Sequence, residues 1–155
     1  MTSPNETIDR ESWEFVQQVV QAAHTSDVEL FAAEFQKLDD MELGDQVLPY
    51  LVYLVSQQLW HLSPEQLTSE KIRELAESIH PGFSEFLKVE PDDIYNLLLS
   101  VFGKSEFGKN LGSARFAGYL AISLGLISDN VSSDLDRMRP GLIQWCQKNG
   151  FVKNQ

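Results

Sequence analysis

The sequence predicts an all-α protein, a compact bundle of about six to seven helices. Apolar residues recur at spacings of three and four through most of the chain, which is the helical period. Ser-Pro, Asp and Gly combinations that start or stop helices lie between these runs. No run alternates with period two between hairpin turns, and no longer unit repeats. We expect one domain over residues 1–155, with disorder only at residues 1–6 and 153–155.

A capping sequence predicts the start of the first helix. Ser3 to Glu6 can form a capping box, although a start near Thr7 or Asp9 fits equally well. The helical period then continues to His24. The apolar positions that share this period are Ile8, Phe15, Val16, Val19, Val20 and Ala23.

The second and third helices differ in how their apolar residues are distributed. A capping box at residues 26–29 opens the second helix, which is amphipathic. Its apolar positions are Val28, Phe31, Ala32, Phe35 and Leu38. The third helix, at about residues 47–62, is apolar on nearly every side, and we expect it at the centre of the bundle. Because Pro49 cannot donate a backbone hydrogen bond, regular helix should begin within a few residues of it.

Proline and glycine mark the ends of the fourth and fifth helices. The fourth is predicted to begin at the Ser-Pro sequence of residues 63–66 and to end at His-Pro-Gly, residues 80–82. The fifth begins at residues 90–93, with proline in its first turn and two carboxylates near its positive end. Gly103 is predicted to terminate it in a left-handed conformation.

The last third of the chain predicts two more helices. Ser113 can cap a helix that runs to about Ile127, and Ser132 or Ser133 can cap the next. Pro140 must kink or split that last helix. Small residues at every fourth position of the first of these helices would let a neighbouring helix approach closely, namely Ala117, Ala121 and Gly125.

The charge of the chain is divided unevenly along its length. Residues 1–100 carry 19 Asp and Glu against 5 Lys and Arg, which is net −14. Residues 101–155 carry 4 against 7, which is net +3 and gives the total of −11. An acidic field favours basic partners and repels phosphate, so direct nucleic-acid binding is not expected.

The sequence predicts a cytoplasmic protein. The N-terminus has no basic and apolar segments of a secretory signal, and Cys146 has no second cysteine with which to form an intramolecular disulfide. The longest apolar runs, residues 50–55 and 116–127, are shorter than the ~20 residues that cross a bilayer. We therefore expect no membrane-spanning segment.

Patterns that could carry metal binding or catalysis are weak. Glu77 and His80 have the spacing of a di-iron helix motif, but such a site needs a second motif, and proline follows His80. Cys146 beside Trp145 is typical of a small core residue, since only Lys148 is near enough in sequence to activate it. The acidic clusters lack the alternating pattern of a calcium loop. We predict no metal site, no catalytic residue and no cofactor.

A loop at residues 103–112 is the one candidate for anion binding. It carries Lys104, Lys109 and three glycines, and it precedes a helix start at Ser113 where free N–H groups attract anions. Leu98 stands where a nucleotide-binding loop needs its first glycine, so that motif is excluded. A flexible, solvated connection is the favoured alternative.

These observations favour a non-enzymatic interaction module, such as an adaptor, inhibitor or immunity-type protein, that binds a basic surface on a protein partner. Capping and helix-dipole effects explain why many of the acidic residues lie at the starts of helices. The acids left for recognition, predicted to point outward, are Glu11, Glu14, Glu34, Glu70, Glu74 and Glu77. The basic C-terminal portion could instead pair with the acidic helices or join two copies head to tail.

Two other functions stay open at this point. A helical small-ligand or regulatory domain could have a pocket between helices lined by Trp13, Trp60, Tyr50 or Tyr53. An enzyme could assemble an active site from residues far apart in sequence. The first would be detected by ligand-induced thermal stabilisation, and the second by a cleft with converging histidine and carboxylate groups.

Overall fold

The computed structural model describes residues 8–40, 44–63 and 67–149. This part of the chain is all helix and turn, without a strand, so the all-α prediction is confirmed. The described residues form eight helices, which are α1 (Arg10–His24), α2 (Val28–Asp40), α3 (Gly44–Leu62), α4 (Ser69–Phe83), α5 (Pro91–Ser100), α6 (Phe107–Leu111), α7 (Ser113–Ile127) and α8 (Val131–Asn149). The additional one is α6, a single short turn of helix in the segment predicted as a loop.

Asp and Asn side chains cap the first, second and last helices. Asp9 accepts a hydrogen bond from the backbone N–H of Ser12 at 3.0 Å, which agrees with the later of the predicted starts. The box at residues 3–6 lies outside the described residues. Asp27 accepts from the N–H of Leu30 at 3.1 Å, and Asn130 accepts from the N–H of Ser133 at 3.0 Å.

The capping roles predicted for Ser26, Ser63, Ser132 and Ser133 are wrong. Ser26, with φ of 56°, precedes the true cap of α2, and both Ser132 and Ser133 lie inside α8. Ser63 follows the end of α3, whereas α4 is capped by Thr68, whose hydroxyl accepts from the N–H of Lys71 at 3.2 Å. In each case a second capping residue lies within five positions, and only the backbone path selects between the two.

The helix end predicted at a glycine is present in the structure, whereas the interruptions predicted at two prolines are not. Gly103 has φ of 71°, and the N–H groups of Gly103 and Lys104 donate to Ser100 and Leu99, which is the predicted left-handed termination. Helix α4 continues past Pro81, and α8 is one helix despite Pro140. Both prolines are exposed, so water can bond the carbonyls that lose their helical partners.

Helix α7 is the most deeply buried element of the bundle. Ten of its fifteen residues are buried, against eight of nineteen in α3, the helix predicted to be central. Helix α7 packs against α1 and α3, with α4, α6 and α2 at its other sides. The third helix contributes Val47, Leu51 and Leu54 to the same core, but its C-terminal end exposes Trp60 and Leu62.

The small residues of α7 explain how it comes so close to α1. A Cβ atom added at Gly125 would lie 2.7 Å from the carbonyl oxygen of Val20 and 2.7 Å from the Cβ of Ala23. The imidazole Nδ1 of His24 also lies 2.9 Å from the carbonyl oxygen of Gly125. The close approach predicted from the small-residue spacing is thus present at the crossing of α1 and α7.

The buried apolar residues form one cluster that extends from Ile8 to Cys146. All eight helices contribute to this cluster or pack against it. In the part of the chain that the structure describes, no helix is both long and apolar enough to span a bilayer.

Candidate functional site

The clearest acidic surface lies on α4. Glu70, Glu74 and Glu77 follow one another at spacings of four and three, so they line one side of the helix over about 10 Å. All three are exposed, and we call them the α4 stripe. Lys71 approaches Glu74 at 3.9 Å, but both side chains are more than half exposed, and such pairs contribute little.

A second set of polar side chains lies on the outer side of α1. Glu11, Glu14, Gln18 and Gln21 are exposed and follow helical spacing, and we call them the α1 stripe. Helix α1 packs against α2, α3, α7 and α8, whereas α4 packs against α5 and α7. The two stripes therefore belong to different sides of the bundle.

Two arginines lie close to the first half of the α1 stripe. Glu14 lines a small cleft together with Arg10, Trp13 and Arg139. The Arg139 guanidinium lies 5.8 Å from the Trp13 ring, a cation–π distance, but neither arginine forms an ion pair with Glu14. These two arginines offset part of the negative charge of the α1 stripe.

Glu34 does not point outward as the sequence predicted. Its exposed fraction is 5%, and it lies between the buried residues Phe31 and Leu38 on the inner side of α2. Val28 and Ala32, which were expected on that side, are exposed. Helix α2 packs mainly against α1, and Glu34 lies on that side together with the glutamines of α1. The sequence did contain a signal of this burial, because Glu34 lies three residues after Phe31 and four before Leu38 and so shares their side of the helix.

Glu34 lines an open groove between α1, α2 and α8. The groove encloses about 590 Å³, and its polar walls are the side chains of Gln17, Gln18 and Gln21. Leu30 and Leu135 form apolar walls. We call it the Glu34 groove, and the α1 stripe leads into it because Gln18 and Gln21 belong to both.

Ion pairs among the described residues do not connect the acidic and basic portions of the chain. Four are present, namely Glu34–Lys37, Glu74–Lys71, Asp92–Arg73 and Asp134–Arg137. Each lies wholly within residues 8–100 or wholly within residues 101–149. Pairing between the two portions, one of the alternatives open from the sequence, is thus not seen between described residues. Glu70 and Glu77 of the α4 stripe take part in none of these ion pairs.

The segment predicted to bind anions is more ordered than a flexible loop. Lys104 and Lys109 are both exposed, and Lys109 lies within α6. Ser113 is the first residue of α7 and is not its cap, which is Gly112 with φ of 87°. The backbone of Ala114 lies against Gly44 at the start of α3, so neighbouring chain covers part of this helix end.

Cys146 and Tyr50 are buried together in the core. Both are 0% exposed, and burial raises the pKa of the Cys146 thiol from 9.0 to about 11. Burial also raises the pKa of the Tyr50 hydroxyl, which accepts a hydrogen bond from the Asp9 N–H at 3.0 Å. A thiol held in its neutral form is a poor nucleophile, as expected for a core cysteine.

Two of the three histidines have structural partners. The Nδ1 of His24 lies 2.9 Å from the Gly125 carbonyl oxygen. The Nε2 of His80 lies 2.7 Å from the Val89 carbonyl oxygen, and this contact joins α4 to the segment before α5. His61 is exposed at the end of α3. No group of three or more His, Cys, Asp and Glu that could hold a metal ion occurs in the described ranges.

The aromatic residues predicted to line a ligand pocket lie in different places. Tyr50 and Trp13 are buried, Tyr53 packs on Trp145 with ring centres 5.4 Å apart, and Trp60 is 46% exposed. An apolar groove of about 400 Å³ does form between α2, α7 and the segment after α4. Its rings come from other residues, namely Phe31, Phe35, Phe86 and Tyr119.

No protein-family model, no curated protein and no solved structure matches this chain. Its function is therefore inferred from the surfaces described above.

Proposed function

We propose that this protein is a non-enzymatic interaction module, of the adaptor, inhibitor or immunity type, that binds a basic surface on a partner protein. The α4 stripe and the acids of the α1 stripe are the surfaces that would meet the partner. The proposal is carried by one observation: described cations from the basic portion neutralise none of these acids through an ion pair.

Exposed charges of one sign act mainly on the rate and selectivity of association. They steer a counter-charged surface toward the acidic side of the molecule and repel acidic competitors. The α4 stripe suits this role because its three carboxylates are exposed and aligned. The same field disfavours phosphate backbones, so the proposed partner is a protein and not a nucleic acid.

The proposal is tested by the salt dependence of association. A partner captured from the native host at low salt would be purified, and its association rate measured by biolayer interferometry from about 50 to about 500 mM NaCl. We expect the rate to fall steeply with salt. A variant with E70Q, E74Q and E77Q should associate about tenfold more slowly at low salt and show a shallower salt dependence.

A matched control separates the α4 stripe from net charge alone. The variant with E29Q, E85Q and E106Q loses the same number of exposed acids elsewhere on the surface. It should retain most of the wild-type rate. A rate that is indifferent to salt, or equal losses in both triple variants, would contradict the proposal.

A further inference from the structure

The environment of Glu34 is unusual for a carboxylate. Its exposed fraction is 5%, and charged side chains are seldom so deeply buried unless they are fully paired. The Lys37 ammonium lies 2.9 Å from Oε2 as its ion-pair partner, and Oε2 accepts no hydrogen bond from the other described residues. Lys37 itself is half exposed. Glu34 is therefore a buried carboxylate whose charge is balanced by one flexible, half-exposed lysine.

Glu34 lines the Glu34 groove, so a donor that entered the groove and displaced Lys37 would reach its carboxylate there. The groove is open to solvent, and its volume of about 590 Å³ is typical of sites that take small groups. The amide oxygens of Gln17, Gln18 and Gln21 are further acceptors on its α1 wall.

A guanidinium group fits this set of acceptors better than an ammonium group. It carries five N–H donors in a plane and can bond a carboxylate and neighbouring amide oxygens at once. Its three-carbon stem is apolar and can lie along Leu30 and Leu135. Leu30 is 45% exposed, so this wall is available to an incoming side chain.

We infer that the Glu34 groove receives an arginine side chain of the basic partner, whose guanidinium bonds the Glu34 carboxylate. This inference rests on the proposed function and adds the residue type that the partner presents. The α1 stripe, which leads into the groove, would guide the side chain toward it. In the absence of the partner, Lys37 forms the ion pair with the Glu34 carboxylate. The incoming arginine would displace Lys37 toward solvent.

The inference can be tested without the partner. Acetyl-arginine amide would be titrated into ¹⁵N-labelled protein while the side-chain amide signals of Gln17, Gln18 and Gln21 are followed by NMR. We expect these signals to shift in a saturable manner. Acetyl-citrulline amide has the same shape without the charge, and it should bind at least about tenfold more weakly because a charge-assisted hydrogen bond is lost.

Two variants locate the binding at Glu34. E34Q keeps the shape of the side chain and removes its charge, and it should weaken acetyl-arginine amide by about tenfold or more. E29Q, an exposed acid on the same helix, should leave it unchanged. E34Q alters a buried site, so Q21K provides a second test from an exposed position. Its ammonium would lie in the groove and should weaken the binding of acetyl-arginine amide. Q144K on α8 is its control.

The possible results separate this inference from the proposed function. Glutamine signals that do not respond to acetyl-arginine amide, or equal binding by wild type and folded E34Q, would show that Glu34 is purely structural and overturn the inference. A salt-steered partner could still bind the α4 stripe in that case. Specific arginine binding in the groove would support the inference even if the α4 variants left association unchanged.

Discussion

Cys146 shows how burial fixes the chemistry of a single residue. Its thiol is 0% exposed, and burial raises its pKa to about 11, while the unfolded chain would release the proton near pH 9.0. Between these values the folded protein holds a proton that the unfolded chain has lost. Stability due to this thiol is therefore complete below pH 9.0 and disappears as the pH rises toward about 11.

We predict that the free energy of unfolding falls between about pH 9 and about pH 11, with about 2–3 kcal/mol of the loss due to Cys146. Urea unfolding followed by far-UV circular dichroism at several pH values would measure it. C146A should be less stable at neutral pH because it leaves a small cavity, but its stability should decline less steeply. The decline that persists in C146A would report Tyr50 and Tyr53, whose pKa values burial also raises. Parallel curves for the two proteins would contradict the assignment.

Glu34 also belongs to the residue scale, because sequence reasoning placed it on the wrong side of α2. The apolar period of the helix was correct for Phe31 and Leu38, which are buried. It was wrong for Val28, which is 42% exposed although it lines the same apolar groove as Phe31 and Phe35. Periodicity fixes which residues share a side, but the neighbouring helix decides which side is covered.

At the scale of elements, the contact between α1 and α7 depends on Gly125. A Cβ atom at this position would meet the Val20 carbonyl oxygen at 2.7 Å and the His24 backbone nitrogen at 2.8 Å. Both are backbone atoms, which cannot move without separating the helices. At Gly82 in α4 an added Cβ would also be close, at 2.8 Å, but to the Leu126 Cδ2 at the flexible end of a side chain.

We predict that G125A destabilises the protein by about 1–3 kcal/mol, in the range of overpacked cores. G82A is the matched control, because it adds the same methyl group to another helix and Leu126 can rotate away. Chemical denaturation of both variants would give the comparison. Equal stability of G125A and G82A would show that α1 and α7 can separate at little cost.

Much of the element pattern could be predicted from the sequence, and the failures have local causes. The termination at Gly103 was predictable because only glycine adopts its φ of 71° without strain. The small-residue spacing on α7 was visible as well, but not that α1 would pack there, since the partner depends on the tertiary arrangement. Helix α6 was missed because five residues are too few to show a period.

At the scale of the whole molecule, like charge opposes compaction. The net charge is −11, and two of the four ion pairs among described residues are exposed on both sides and offset little of the repulsion. We predict that raising NaCl from about 10 to about 300 mM shifts the urea midpoint upward, because salt screens the repulsion. The shift should vanish near the isoelectric point of about 4.6. A midpoint that falls with salt would mean that attractive pairs outweigh the repulsion.

The acidic sites could be anticipated from the sequence only in part. Five of the six acids expected to point outward are exposed, and spacing alone placed three of them on one side of α4. Their division between two sides of the bundle could not be predicted, because it depends on where α1 and α4 pack around α7. The Glu34 groove could not be predicted either, because residues from three helices form it and their packing is not evident from the sequence.

The central position of α7 also bears on how the chain matures during synthesis. Helices α1, α3 and α4 bury their apolar sides against a helix that is translated after them. The 65 residues from Leu62 to Ile127 take roughly 3–13 seconds at cellular rates of about 5–20 residues per second. During that interval the nascent chain exposes surface that later becomes core. The net charge of −14 over residues 1–100 makes neighbouring nascent chains repel one another while this surface is exposed.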